Sequence, residues 1–173
     1  MNIRKAAKAD LSAIEAIFSD IHTAEEQGRV TIGWNRNIYP TAATAEQALE
    51  RGDLFVQEDA GQVVGTGIIN HQQVDVYRGA NWRNAAPDAE VMVLHTLVIS
   101  PSAARKGYGR QFVAFYESYA ASHGCKYLRM DTNERNVNAR ALYRSLGYTE
   151  ADIVPCVFNG LDGVRLVLLE KKL

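Results

Sequence analysis

Three groups of residues in this 173-residue chain have the types and spacing for chemistry. The first is a basic glycine loop, Ala104-Arg105-Lys106-Gly107-Tyr108-Gly109-Arg110, which follows Pro101 and opens a helix. Glycine lets a backbone come close to an anion, and a helix start points unpaired N–H groups and the positive end of its dipole at the same place. Arg105, Lys106 and Arg110 add full charges, so the loop suits a pyrophosphate. The second group is Asn136-x-x-Ala139-x-x-Leu142-Tyr143-x-x-x-Gly147-Tyr148. A tyrosine with its ordinary pKa of about 10 keeps its proton at neutral pH and can donate it, although a Tyr at helical spacing with leucines is more often a core residue. Asn136 suits a helix N-cap equally well. The third is His95 inside the apolar run 91–99, with Glu90 at its start. An imidazole with a pKa near 6.5 can accept a proton, while a lone His among apolar residues is commonly structural.

Two other uses of the glycine loop are excluded by the residues around it. A dinucleotide fingerprint needs a third glycine where Phe112 stands, and no Gly-x-x-x-x-Gly-Lys-Ser/Thr run for a triphosphate occurs.

The elements that must position these groups follow from periodicity. Residues 2–5 read as a strand and 9–26 as a helix capped by Asp10, with Leu11, Ile14, Ile17, Phe18 and Ile21 at helical spacing. Residues 28–44 lose the pattern and carry Trp34 and Tyr39; Thr44 precedes a short helix, 45–51, closed by Gly52. Residues 54–57 and 63–69 form a hairpin, 70–89 a polar connection containing Tyr77 and Trp82, and 91–99 a strand. Helix 109–122, strand 127–131, helix 137–146 and strands 148–158 and 164–170 complete the chain. This order is neither a strict βαβ alternation nor an all-β run. It calls for an α/β (α+β) domain over residues 1–173, built on a mixed, mostly antiparallel sheet of about seven strands with helices on both faces.

The loop, the Asn136-to-Tyr148 motif and this order of elements resemble the GNAT superfamily of acyl-CoA-dependent N-acyltransferases. The resemblance spans nearly the whole chain, with its specific motifs in the second half. Ala104 departs from the family pattern Arg/Gln-x-x-Gly-x-Gly/Ala at its first position. The resemblance implies acetyl-CoA as co-substrate, with its pyrophosphate on the N–H groups of residues 106–110 and contacts from Arg105, Lys106, Gly107, Tyr108, Gly109, Arg110, Asn136 and Tyr143. Its pantetheine arm would pair with the backbone of Leu97, Val98 and Ile99, and the Val98 N–H would face the developing oxyanion. It implies direct transfer to an amine, with Tyr143 protonating the leaving thiolate and His95, or Glu90 in reserve, taking the amine's proton. A non-catalytic acyl-CoA-binding module is the rival reading. The acceptor would lie near Trp34, Tyr39, His95 and Trp82, with Asp20, His22, Glu25, Glu26 and Tyr77 in the same regions. A homodimer through the last two strands is common in the family.

Charge agrees with such a division. Pro101 to Tyr148 holds eight Lys or Arg against three Asp or Glu, so a formal net charge of −1 divides into a +5 segment and a −6 remainder. That suits a polyanion on one side and a cationic amine on the other. Few basic residues and little interleaving with aromatics argue against nucleic acid. With no apolar run of spanning length and no leader pattern, the reading is a soluble, unprocessed, cytoplasmic protein without membrane attachment. Cys125 and Cys156 fit free thiols and no paired Cys/His spacing, so no metal is expected.

Overall fold

Apolar runs bounded by turn residues become the strands β1 (Asn2–Lys5), β2 (Leu54–Asp59), β3 (Gln62–Asn70), β4 (Val91–Ile99), β5 (Tyr127–Asn133), β6 (Thr149–Phe158) and β7 (Leu161–Lys172). In the computed structural model, which describes residues 2–173, they form one sheet in the order β1-β2-β3-β4-β5-β7-β6. The pair β4–β5 is parallel and the other neighbours are antiparallel. Helices α3 (Tyr108–Ser122) and α4 (Val137–Ser145) pack on one face around Phe112, Tyr116, Leu128 and Met130. On the other face α1 (Leu11–Glu26) and α2 (Ala42–Arg51) cover β2, β3 and the end of β4. The 71–90 connection continues that layer, packing Tyr77 and Trp82 against Val91, Val93, Leu166 and Leu168.

The mixed, mostly antiparallel sheet with helices on both faces is the one the sequence predicts; the corrections lie at element ends. Residues 8–10 form a single 3-10 turn before α1, and Asp10 holds the N-cap position of α1 as expected but makes no side-chain capping bond to it. The Asp10 carboxylate accepts from Arg4 and from the Ala7 N–H at 2.7 Å. Helix α2 starts at Ala42, three residues early, and Thr44 accepts from the Thr41 N–H rather than capping. Strand β7 starts at Leu161 because the final turn is only Asn159-Gly160, both left-handed (φ 50° and 79°), as a two-residue hairpin requires. Phe112, at the missing third glycine, is fully buried, and its ring would lie 2.8 Å from a Cβ on Gly67. Helix α3 therefore needs glycine on β3 for its close approach.

One irregularity positions the site. The β3–β4 register shifts between Thr66 and Ile68, and opposite that shift Thr96 is left-handed, φ 49°. A β-branched residue there is a genuine outlier, and a bulge bends its strand. The β4–β5 pairing stops at Leu94↔Met130, while β4 stays with β3 to Ile99 and β5 stays with β7 to Asn133. The parallel strands are held on their outer sides and part on their inner sides.

Candidate active site

A cavity of about 770 Å³ fills that split, lined by β4 from Leu94 to Ile99, by Asp131 and Asn133 of β5, and by Asn136 and Tyr143 of α4. Beyond Leu94, β4 has no strand on its β5 side, so backbone groups of Leu97, Val98 and Ile99 turned that way are open to a ligand. The first turn of α3 adjoins the cavity at Ile99: a Cβ on Gly109 would lie 3.3 Å from Leu142 and 3.9 Å from Ile99. Gly107 caps α3 with φ +82°, and Arg105 is also left-handed. The N–H groups of residues 106–110 meet no acceptor among the described residues. With exposed Arg105 and Lys106 beside them, they form a cradle suited to an anion. The other two side chains of the loop are engaged: Tyr108 donates to Asp59 at 2.5 Å and Arg110 to Ser145 at 2.9 Å.

Tyr143 is 7% exposed and lines the cavity, and its hydroxyl makes no side-chain hydrogen bond among the described residues. Buried hydroxyls are normally paired, so one that lines a cavity unpaired is available to a ligand. Burial, then the nearby Asp131 charge, pushes its pKa well up, so the phenol keeps its proton across the neutral range. Asn136 caps α4, its Oδ1 accepting from the Ala139 N–H at 3.2 Å, which leaves its amide nitrogen for the cavity.

His95 and Asp131 stand on adjacent strands one residue past the last β4–β5 pair. His95 Nε2 lies 3.1 Å from Asn70 Oδ1. That amide is oriented by its other bonds, Nδ2 to Asp53 at 2.8 Å and Oδ1 from the Gln72 N–H at 2.9 Å. Nε2 therefore carries the proton and donates it. Burial pushes the His95 pKa down to about 4, so the ring is neutral at pH 7 and a weak base. Asp131 shows the opposite shift, pushed up to about 6 by burial while the Tyr77 hydroxyl, donating at 2.7 Å, holds it down in part.

Residues 14–148 match the model of the Acetyltransferase (GNAT) family. The chain belongs to the GNAT family. It is 25% identical over 152 residues to the uncharacterized N-acetyltransferase YhfO of Bacillus subtilis, covering 87% of this chain and 91% of the relative. It is 24% identical over 116 residues to an aminoglycoside N(6')-acetyltransferase type 1 of Salmonella typhimurium, covering 65% of this chain and 74% of that protein. The fold matches YncA of Salmonella typhimurium, solved with its cofactor acetyl-CoA, at a TM-score of 0.69 and 20% identity over 99% of this chain and 92% of that one. This chain is thus an acetyltransferase of the GNAT fold.

On the acceptor side of this GNAT cavity several sequence expectations need correction. Glu90 lies at the far end of β4 from the split, paired with Lys126 at 2.8 Å, and does not line the cavity. Trp82 lies outside it too, its ring under the Arg129 guanidinium at 4.1 Å and its indole N–H on Tyr77. His22 is bound to the Pro40 carbonyl, Glu25 accepts from the N–H groups of Ile32 and Gly33, and Glu26 pairs with Arg36. These groups shape the 27–41 loop rather than face a substrate. Trp34 and Tyr39 do reach the cavity, edge to face at 5.9 Å, and the Tyr39 hydroxyl is hydrogen bonded to Thr96 Oγ1 on the bulge. The opposite wall is the β6–β7 hairpin with Phe158, Asn159 and Leu161, and Asp75 stands on the 71–90 connection. Sequence reasoning passed over Asp131 and Thr96. An Asp between Met130 and Thr132 in a strand was the visible signal for the first; a bulge leaves none for the second.

Among the described residues no helix is long and apolar enough to cross a membrane.

Proposed function

We propose that this protein is a cytoplasmic N-acetyltransferase that moves an acetyl group from acetyl-CoA to a primary amine by direct attack with both substrates bound. The observation that carries the reading is the unpaired Tyr143 hydroxyl in the same cavity as the open edge of β4, next to the row of unpaired N–H groups at the start of α3. Acetyl-CoA supplies the activated acetyl group. Residues 106–110 would grip its pyrophosphate with Arg105 and Lys106, and Leu97, Val98 and Ile99 would pair with its pantetheine arm. The Asn136 amide would add one more hydrogen bond. Ala104 supplies no polar side chain, so the grip rests on backbone groups. The Val98 N–H would face the acyl oxygen as it becomes negative. Tyr143 would give its proton to the departing sulfur.

For the acceptor, Trp34 and Tyr39 offer aromatic faces, and Asp75 and Asp131 offer negative charge, which suits a cationic amine small enough for the cavity. The aminoglycoside acetyltransferase relative supports a small-molecule acceptor.

The test is CoA thiol release from acetyl-CoA over polyamines, arylalkylamines, amino acids, aminoglycosides and lysine peptides, with calorimetry of acetyl-CoA alone. Acceptor-dependent release is the expected result. Tight binding without release on any amine would favour a non-catalytic acyl-CoA-binding module.

A further inference from the structure

The GNAT reading leaves one step without an agent, the removal of a proton from an acceptor that arrives as an ammonium ion. Glu90 is outside the cavity, and His95, its pKa pushed down to about 4 by burial, is a weak base there. We propose that Asp131, held by the Tyr77 hydroxyl at the apex of the β4–β5 split, binds the acceptor's ammonium and accepts its proton. This deepens the N-acetyltransferase reading and rests on it.

Three observations converge on this residue. Asp131 lies one residue past the last β4–β5 pair, where the strands part, and lines the cavity that also holds Tyr143. One of its oxygens, Oδ2, accepts from Tyr77; no side chain among the described residues donates to Oδ1. The groups around it carry no compensating cation. Tyr77 from the 71–90 connection, Tyr39 from the 27–41 loop, Tyr143 from α4 and Cys156 from β6 all feel its charge, and all have pKa values pushed up, so they are neutral at pH 7. Its partner across β7 is Leu168. Arg129, one pleat back, is turned to Gln73, the Asn84 carbonyl and the Trp82 ring, and Arg51, the cation on the cavity wall, is paired with Asp53. A carboxylate without a cationic partner, faced by neutral groups, is a place for a cation from outside. A base is most effective when its pKa lies near the working pH, a condition that Asp131 near 6 meets and His95 near 4 does not.

The proton balance closes without another reactant. The ammonium gives one proton to Asp131, which passes it to solvent. The amine nitrogen forms its bond to the acyl carbon while the carbon–sulfur bond breaks. The sulfur takes the Tyr143 proton, and the second proton on nitrogen restores Tyr143. Amide, free thiol and one released proton result. Tyr77 touches no reacting atom and is a positioning residue.

The experiment uses the amine that gives the fastest CoA release in the panel above. Asp131→Asn is expected to lower kcat/KM by roughly 10²–10⁴-fold, the usual range for a lost general base, and to abolish the acidic limb of its pH profile. Acetyl-CoA affinity by calorimetry should be unchanged. Tyr77→Phe removes a hydrogen bond that favours the carboxylate, so the acidic limb should move to higher pH. Carbon-13 NMR of aspartate-labelled protein should show the Asp131 carboxyl titrating near pH 6, and higher in Tyr77→Phe. Release that survives Asp131→Asn within about threefold, with its acidic limb in place, overturns the proposal and leaves the enzyme reading standing. A wild type that releases no CoA on any amine overturns both.

Discussion

The two halves of the cavity are built by different means. The half assigned to acetyl-CoA comes from one continuous stretch, β4, the glycine loop, α3, β5 and α4, and its polar groups are mostly backbone. The acceptor half is assembled from the 27–41 loop, the 71–90 connection and the β6–β7 hairpin, segments far apart in the chain, and its polar groups are side chains. A backbone cradle depends on glycine and on where a helix starts, so it leaves a local pattern. A pocket of side chains from three distant loops depends on how those loops bond to one another. The contrast explains why one half can be assigned to a ligand from its motif and the other only to a class of ligand.

The largest effect should come where the halves meet. Tyr143→Phe keeps the ring against Tyr148 at a centroid distance of 6.1 Å and removes only the unpaired hydroxyl. Turnover should fall by roughly 10²–10⁴-fold while acetyl-CoA affinity by calorimetry holds. A variant with near wild-type turnover would leave the thiolate to be protonated by water and separate the halves chemically.

Asp131 offers a second test, read as stability. Its folded pKa of about 6 exceeds the ordinary aspartate value of about 3.9, so the folded state binds the proton more tightly than the unfolded one. Stability from this group is fully present below about pH 3.9 and is lost as pH rises through about 6. Asp131→Asn, neutral throughout, should therefore be more stable than wild type by roughly 2–3 kcal/mol at pH 8 and by about 1 kcal/mol at pH 4.5. Urea unfolding at the two pH values measures the difference. A gap that does not shrink in acid would mean that the carboxylate is not destabilised by its place in the cavity.

The cofactor half can be broken alone through Gly107. At φ +82° a valine is strained by about 1–2 kcal/mol, yet nothing lies within 4 Å of the added Cβ, so the fold should survive while the loop shifts. Acetyl-CoA affinity should drop by at least about tenfold, near 1.4 kcal/mol, with the circular dichroism spectrum unchanged.

How much of this was legible in the sequence follows the same line. The strand 91–99 and the order of all eleven strands and helices are written in local periodicity, and the Gly107 and Asn136 positions in local motifs. The ends that moved, at α1, α2 and β7, depend on which of several polar residues wins a given N–H, as Asp10 does with Ala7. Glu90 and Trp82 fit their roles by chemistry and lost them to tertiary partners, Lys126 for one and Arg129 for the other. The Thr96 bulge, which opens the cavity, has no sequence mark because threonine is an ordinary strand residue and its left-handed turn is secured from 57 residues away by Tyr39.

The smallest expected effect sharpens the acceptor half. Gly160 sits in the two-residue turn of the β6–β7 hairpin at φ +79°, and a Cβ there would lie 3.2 Å from Ile38 on the 27–41 loop. Alanine should cost about 1 kcal/mol in backbone strain and press the hairpin off that loop. Because Phe158, Asn159 and Leu161 form one wall and Trp34 and Tyr39 the other, the displacement should widen the acceptor space and leave the α3 cradle untouched. The KM for the amine should rise by a few fold, about what 1 kcal/mol implies, with the KM for acetyl-CoA constant. An equal rise in both would mean that the two walls and the cradle move as one body and that the halves are not independent.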